Sequence, residues 1–156
     1  MTHAMNLTMP DTPARPSPKI TPLSAPYWEA AAQGRLLLQK CASCGKVRHY
    51  PRMLCDACYS AQTNWVQASG RGKVHSWTVC HHAFHPSFVV DLPYTLLTVD
   101  LEESVRALGR WRGAGLVIGD AVVAQFEQRS EVPELFFTAS PRTESDESNG
   151  HVAHES

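Results

Sequence analysis

Between Gly70 and Ser140, apolar and polar residues alternate in short runs that are separated by glycines. In the run PYTLLTVDLE, which starts at Pro93, the side chains of Leu97, Val99 and Leu101 fall on one face. Four further runs have the length and the β-branched and aromatic content that are typical of strands: GKVHSWTVCHH, SVRALGRWRG, IGDAVVAQFEQ and ELFFTAS. The pattern predicts five short strands.

Five short strands close readily into a barrel, because closure removes the unpaired edges that an open sheet exposes. Gly109 and Gly119 fall where bends or turns of such a barrel are expected. The pattern therefore predicts a five-stranded barrel of the OB type over residues 67–140. A five-stranded sandwich is the alternative arrangement.

The segment before this barrel predicts one helix and one strand. The run PYWEAAAQG, from Pro26 to Gly34, places proline in the first helical turn, alanines in the middle and glycine at the end. The run RLLLQK then predicts a strand that leads directly to a cysteine pair. The expected fold is mainly β, with the helix and a cysteine-rich ribbon at residues 26–66 ahead of the barrel.

Two CxxC pairs follow the predicted strand: Cys41 with Cys44 and, after ten intervening residues, Cys55 with Cys58. Four thiolates from two tight turns form the tetrahedral sulfur site that Zn²⁺ prefers, and such a closed site has no open position for a reaction. We predict a rubredoxin-like ribbon that holds structural zinc. Iron is the alternative metal, because sulfur ligands alone do not select between the two. A redox-active CxxC is disfavoured by the presence of two pairs in one short segment.

Both ends of the chain have the composition of disordered segments. Residues 1–26 contain six of the eleven prolines and few large apolar residues, which limits what they can bury. Residues 141–156 are acidic and rich in serine. We therefore predict a disordered arm at residues 1–25 and a disordered tail at residues 141–156.

The overall charge gives no reason to expect a polyanionic partner. The formal net charge is −1 at pH 7, whereas proteins that bind nucleic acid through phosphates present a basic surface. No run approaches the roughly 20 apolar residues of a membrane helix, and the N-terminus has no basic-then-apolar secretion pattern. We predict a cytoplasmic protein that binds neither nucleic acid nor membranes.

Several polar residues are candidates for chemistry, but none forms a recognisable catalytic motif. Cys80 has no base and carboxylate near it in sequence, which favours a packing role over a nucleophile. Four histidines are closely spaced, but their spacing does not favour a shared metal ion, so we interpret them as a polar strand end and loop: His75, His81, His82 and His85. The ribbon also contains a cluster of basic residues, which could either contact a phosphate group or form a solvated face: Arg35, Lys40, Lys46, Arg48 and Arg52. We predict no catalytic residue.

The order of these features resembles a known family. The helix run PYWEAAAQGRLLLQKC, the ribbon CASCGKVRHYPRMLCDAC, the strand entry SGRGKVHSWTV and the loop HPSF follow one another at residues 26–140. This order and spacing resemble the acyl-CoA-associated OB-fold proteins that begin with a rubredoxin-like zinc ribbon. Family members often have asparagine in the segment that here is LGRWRG, so the resemblance does not predict the acyl specificity.

The resemblance implies a non-catalytic subunit of an enzyme complex that acts on CoA thioesters. It implies a thiolase-like catalytic partner that forms or cleaves carbon–carbon bonds, or else an aldolase or hydratase partner, in a hetero-tetramer. The barrel would dock on this partner and help to shape the acyl-CoA site, with the CoA thioester as ligand of the complex. Six residues are expected near the partner or the acyl-CoA: His81, Phe84, His85, Phe88, Arg48 and Arg52.

Two hypotheses from other functional classes compete with this one. A zinc-ribbon OB module that binds single-stranded nucleic acid would stack bases on aromatic side chains in a basic groove, and the near-neutral charge counts against it. A self-sufficient enzyme would use Cys80 with a histidine, and the absence of a catalytic motif counts against that.

Overall fold

A computed structural model describes residues 13–141, which form one short helix and eight strands. The elements are α1 (Ala25–Ala31), β1 (Leu37–Cys41), β2 (Val47–Arg48), β3 (Thr63–Gln67), β4 (Arg71–Cys80), a 3₁₀ helix (Pro86–Asp91), β5 (Tyr94–Leu101), β6 (Arg106–Arg112), β7 (Ala121–Gln128) and β8 (Pro133–Ala139). The predicted helix and six predicted strands are present, with ends that differ by a few residues. No helix in this range combines the length and the apolar character needed to cross a membrane.

The strands form two separate sheets. The first has the order β2-β1-β3, with β1 in the middle, and the second is a closed barrel with the order β4-β5-β6-β8-β7. All barrel pairs are antiparallel except β6 with β8. Closure confirms the predicted five-stranded OB barrel and excludes the sandwich.

The first barrel strand, β4, closes the barrel because it pairs with two neighbours. Its residues from Arg71 to Lys73 pair with β7, and nearly its whole length pairs with β5. The register with β5 shifts between Val74 and Ser76, where a β-bulge bends the strand. The bend lets one long strand serve both sides of a small barrel.

One hydrophobic core joins the barrel to the segment that precedes it. Leu97, Val99 and Phe137 are completely buried inside the barrel, and Tyr27 of α1 and Leu38 of β1 belong to the same cluster. The face of β5 predicted from alternation is therefore the buried face. Because α1 and the inner end of β1 share this core, the ribbon sheet is anchored to the barrel.

Gly109 lies in the middle of β6 and not at a bend, unlike the prediction. A Cβ atom there would lie 2.8 Å from the Leu135 carbonyl oxygen and 2.9 Å from the Phe137 ring. The glycine therefore permits the close parallel approach of β6 to β8. Gly119 does occupy a turn, with a φ of +93°.

The predicted arm is described from residue 13 onward; residues 1–12 and the tail beyond Pro141 lie outside the described residues. Residues 13–20 have no regular secondary structure. The side chain of Arg15 is nevertheless only 13% exposed and forms an ion pair with Asp91. Part of the arm is thus held against the barrel, which its composition does not predict.

Candidate functional site

The four cysteines of the ribbon converge at the tip of the first sheet. Their sulfur atoms all lie within 4.8 Å of one another, and the Cys41–Cys58 and Cys44–Cys55 Sγ pairs are each 3.6 Å apart. Sulfurs at the corners of a tetrahedron around zinc, with Zn–S of about 2.3 Å, lie about 3.8 Å apart. The geometry therefore fits one four-coordinate ion held entirely by thiolates, and zinc matches both the donors and the shape.

The two CxxC turns have the same backbone shape although their sequences differ. Gly45 has φ +76° and donates its N–H to the Cys41 carbonyl; Tyr59 has φ +58° and donates its N–H to the Cys55 carbonyl. Glycine adopts this left-handed conformation freely, whereas tyrosine does so at a cost. The turn at Tyr59 therefore keeps the geometry of the ligands, and the departure from glycine does not disturb the site.

Backbone amides at the turns prepare the thiols for a cation. The N–H of Cys44, assisted by that of Ser43, lowers the pKa of the Cys41 thiol to about 6, and the Ala57 amide lowers the pKa of Cys55. For Cys58, the Ser60 amide also acts to lower the pKa, but the three neighbouring sulfurs together raise it to about 12. The Cys58 thiolate is therefore stable beside the neighbouring sulfurs only when a metal cation balances their charge.

A buried polar network supports this metal centre from within the sheet. The Gln39 side-chain oxygen accepts hydrogen bonds from Arg48 Nε at 2.8 Å and from the Arg52 backbone N–H at 2.9 Å. Arg48 Nη2 donates to Thr63 Oγ1 at 2.8 Å, so its side chain ties β1, β2 and β3 together. Arg48 is buried, and the contact with a partner or acyl-CoA predicted for it gains no support from this placement.

His49 lies at the joint between the ribbon and α1. Its ring is 3.9 Å from the ring of Tyr50 and 5.5 Å from that of Tyr27, between ring centroids. Among the described residues its buried Nε2 has no hydrogen-bond partner. Desolvation lowers the pKa of His49 to about 4, so the imidazole is neutral at pH 7.

Desolvation of the half-buried His49 ring predicts a loss of stability in mild acid. In the unfolded chain the His49 imidazole has a pKa near 6.5, so it is protonated at a pH where the folded chain keeps it neutral. The free energy of unfolding therefore falls as the pH drops below about 6.5. We expect a loss of about 2 kcal/mol at pH 5, which levels off near 3 kcal/mol below pH 4. Urea unfolding at pH 7.5 and at pH 5, both with saturating zinc, measures this change in the free energy of unfolding.

The matched variant is His49→Phe, which keeps an aromatic ring but cannot take up a proton. Between pH 7.5 and pH 5, we expect the free energy of unfolding of the variant to decrease by about 2 kcal/mol less than that of the wild type. Since loss of zinc in acid affects both proteins equally, the difference isolates His49. An equal pH dependence in the two proteins would contradict a neutral, desolvated His49 imidazole.

The loop after the first barrel strand presents an apolar surface. Phe84 is 85% exposed, Val90 is 77% exposed and Val89 is also exposed; we call these three side chains the docking face. The loop is nevertheless ordered by polar contacts: His85 caps the 3₁₀ helix by accepting the Ser87 backbone N–H. Large exposed apolar side chains on a fixed backbone are typical of a surface that another protein covers.

Asp91 fixes the other end of this loop. Its carboxylate accepts hydrogen bonds from Arg15 at 2.6 Å, from Arg129 at 2.8 Å and from Arg110 at 2.9 Å, and its side chain is 8% exposed. Although desolvation acts to raise it, the three arginines together lower the pKa of Asp91 to about 2. No local sequence signal reveals this cluster, because the arginines lie 76, 38 and 19 positions from Asp91.

A cleft of about 330 Å³ lies beside Asp91, between the barrel, α1 and the arm. Its walls are mainly aromatic and aliphatic, and Arg110 and Glu134 supply its charged groups. The ring of Phe88 lines it together with residues from both parts of the fold: Tyr27, Trp28, Tyr50, Tyr94, Leu96 and Leu108.

The six residues predicted near the partner or the acyl-CoA do not form one site. His81 and Phe84 are exposed on the loop, while His85 caps the 3₁₀ helix and Phe88 faces the cleft. Arg52, which is exposed, lines a separate pocket between the ribbon and the barrel together with Arg48. Within residues 13–141, no group of three or more His, Cys, Asp or Glu side chains besides the four cysteines is close enough to share an ion.

Comparison with known families accounts for both parts of the fold. Residues 28–64 match the family model described as the ChsH2 rubredoxin-like zinc ribbon domain. Residues 65–127 match the model described as the ChsH2 C-terminal OB-fold domain. A solved structure described as the Ltp2-ChsH2(DUF35) aldolase matches with a TM-score of 0.71 and 34% identity, over 79% of this chain and 98% of that chain. The chain belongs to the ChsH2/DUF35 family.

Two curated members of the ChsH2/DUF35 family are longer than the region they share with this chain. A protein of Thermomonospora curvata, described as "Probable enoyl-CoA hydratase alpha subunit", is 38% identical over an alignment of 138 residues that covers 84% of this chain and 42% of that protein. The 3-oxo-4,17-pregnadiene-20-carboxyl-CoA hydratase alpha subunit of Mycobacterium tuberculosis is 37% identical over 105 residues, 67% of this chain and 32% of that protein. The chain therefore spans less than half the length of either relative.

The ChsH2/DUF35 family models cover the predicted metal site but not the whole Asp91 cluster. All four cysteines fall inside the ribbon match, and the docking face, Asp91 and Arg110 fall inside the OB match. Arg15, Arg129 and Glu134 lie outside both matched ranges. The contacts of the arm with the barrel thus extend beyond the segments that define the family.

Proposed function

We propose that this chain is a non-catalytic subunit of an enzyme complex that acts on acyl-CoA thioesters. The chain binds the catalytic subunit through the docking face, and its barrel helps to shape the acyl-CoA site. The observation that carries this proposal is the ordered loop with Phe84, Val89 and Val90 exposed beside an apolar cleft, within a fold of the ChsH2/DUF35 family.

The metal centre supports a structural role for the ribbon. Four thiolates saturate a zinc ion, so no position is left for water or substrate. Cys41, Cys44, Cys55 and Cys58 would hold the ion, whose role is to fold the ribbon and place it against the barrel. Iron in the same cage would serve the same structural purpose.

The described residues favour a partner as the source of the catalytic groups. Cys80 lies opposite Tyr94 in the barrel, and no hydrogen bond among residues 13–141 joins its sulfur to a histidine or a carboxylate. A cysteine nucleophile needs such a base within reach. The partner would therefore supply the nucleophile and the base.

Carbon–carbon bond cleavage, as in an aldolase, is the reaction we favour for the complex. The chain is 34% identical to the solved chain of the Ltp2-ChsH2(DUF35) aldolase, with a TM-score of 0.71, and this likeness in fold and sequence supports the aldolase reaction. A hydratase partner is the alternative, because two relatives are named as hydratase alpha subunits. A thiolase-like partner that condenses acyl groups is a third candidate, and a hetero-tetramer is the expected assembly.

The experiment that tests the proposed function is purification of the tagged chain from its native host with identification of the bound proteins. We expect a stoichiometric catalytic subunit of the aldolase or thiolase class. A hydratase as the stoichiometric partner would correct the reaction, and recovery of nucleic acid or of the chain alone would overturn the proposal.

A further inference from the structure

A pocket of about 190 Å³ lies where the ribbon meets the barrel, and we call it the junction pocket. Its ribbon wall comes from β2 and the loop that follows it, and its barrel wall comes from residues 104–106, where the turn after β5 leads into β6. Pockets that hold organic ligands usually measure about 300–1,000 Å³. The junction pocket therefore has a size that suits a small ion or a single polar group.

The charged side chains that line the junction pocket are mostly basic. One carboxylate, that of Asp56, faces four cations: Lys46, Arg48, Arg52 and Arg106. Two of the four cations have a carboxylate partner. Lys46 Nζ lies 2.6 Å from Asp56 Oδ2, and Arg106 Nε lies 2.7 Å from an oxygen of Asp100, which is outside the pocket. The single carboxylate of the pocket is thus already paired with a lysine.

The other two cations, Arg48 and Arg52, form no ion pair with a carboxylate among residues 13–141. Arg48 is only 5% exposed, and its guanidinium donates to neutral oxygens alone, those of the Gln39 and Thr63 side chains and of the Arg52 carbonyl. Its Nη1 has no hydrogen-bond partner in this part of the chain. A buried charge is normally paired, because removing an ion from water is costly. Arg48 therefore lacks a counter-charge.

The metal centre does not supply this counter-charge by contact. No cysteine lines the junction pocket, and no hydrogen bond among the described residues joins Arg48 to a sulfur atom. A second unpartnered nitrogen belongs to the same wall: the side chain of His49 lines the pocket, and its buried Nε2 has no partner between residues 13 and 141. Unpaired cations and an unpaired nitrogen thus surround a space of the size of a small anion.

We infer that the junction pocket is a binding site for a phosphate-type oxyanion. Phosphate carries the negative charge that Arg48 and Arg52 lack, and the fork of guanidinium donors matches its oxygens in pairs. Because Arg48 belongs to the ribbon and Arg106 to the barrel, the anion connects the two parts of the fold. Three of the five basic residues of the ribbon line this pocket, whereas Arg35 and Lys40 do not. The phosphate interpretation of the basic cluster thus applies to those three.

The test is titration calorimetry of the full, metal-loaded chain with inorganic phosphate, in a chloride buffer of constant ionic strength without excess metal. We expect one phosphate per chain, and at least a tenfold loss of affinity in Arg52→Gln, with a loss in the same direction in Arg106→Gln. Both arginines are exposed and lie outside the hydrophobic core, so both variants should fold. Arg48 is left intact, because its substitution would also break the network that joins β1, β2 and β3.

The matched control is Arg35→Gln, which removes the same charge from an exposed ribbon arginine outside the pocket and should bind phosphate like the wild type. Phenyl phosphate, as a second probe, distinguishes the source of the anion. Affinity at least equal to that of inorganic phosphate indicates a phosphate ester on a larger molecule, and weaker binding indicates the free ion. Equal losses of affinity in Arg35→Gln and Arg52→Gln, or no binding of either probe, would overturn the inference and leave the metal centre as the counter-charge of Arg48.

Discussion

Cys41→Ser is expected to release the metal ion and to unfold the ribbon, residues 37–67. The segment between the two CxxC turns has few buried apolar side chains of its own, and structural zinc sites contribute on the order of 10 kcal/mol to folding. That contribution is comparable to the whole stability of a small domain. Metal content by elemental analysis and hydrogen exchange across the ribbon measure the two effects, and the same analysis decides between zinc and iron.

The fifth cysteine provides the control for this experiment. Cys80→Ser alters a residue of β4 that is outside the four-sulfur cluster, so one metal ion per chain and full protection of the ribbon are expected. Because Leu38 at the inner end of β1 belongs to the barrel core, Cys41→Ser should also lower the stability of the barrel. A folded, metal-free Cys41→Ser ribbon would show that the metal has some role other than a structural one.

Val90→Asp is expected to weaken the complex with the catalytic subunit by at least 30-fold, about 2 kcal/mol, without unfolding the chain. The side chain is 77% exposed on the docking face, so the charge is solvated in the free chain but buried unpaired when the partner covers it. Phe84→Ala should act in the same direction through lost apolar contact. Titration calorimetry or surface plasmon resonance gives the affinity, and thermal unfolding of the isolated chain checks its stability.

Ile118→Asp is the matched control for Val90→Asp. Ile118 is also β-branched and 68% exposed, but it lies in the turn between β6 and β7. We expect it to leave both affinity and stability near the wild-type values. If Ile118→Asp abolished binding while Val90→Asp did not, the docking surface would have to be moved to that turn.

Local patterns were sufficient to predict most of the fold. Alternation placed Leu97, Val99 and Leu101 on the buried face of a strand, and the spacing of the cysteines defined a site whose sulfurs do converge. Both signals lie within a few residues of the chain, where geometry follows directly from strand period and turn length. The family resemblance carried in the same segments is confirmed by the ribbon and OB matches.

Features that depend on distant residues could not be predicted in this way. The composition of the arm indicated disorder, but Arg15 finds its partner 76 positions away, at Asp91. Gly109 suggested a bend, yet it is required by the approach of β8, which follows much later in the chain. Arg48 belonged to a basic cluster in sequence, and its burial depends on Gln39 and Thr63 from the neighbouring strands.

A non-catalytic role is tested by measuring turnover of an acyl-CoA thioester by this chain alone, by the purified catalytic partner alone and by the two combined. We expect no turnover by this chain, and full turnover only when both proteins are present. We also expect Cys80→Ser to leave the turnover of the combined proteins unchanged. Turnover by this chain alone that is lost in Cys80→Ser would instead establish the chain as an enzyme in its own right.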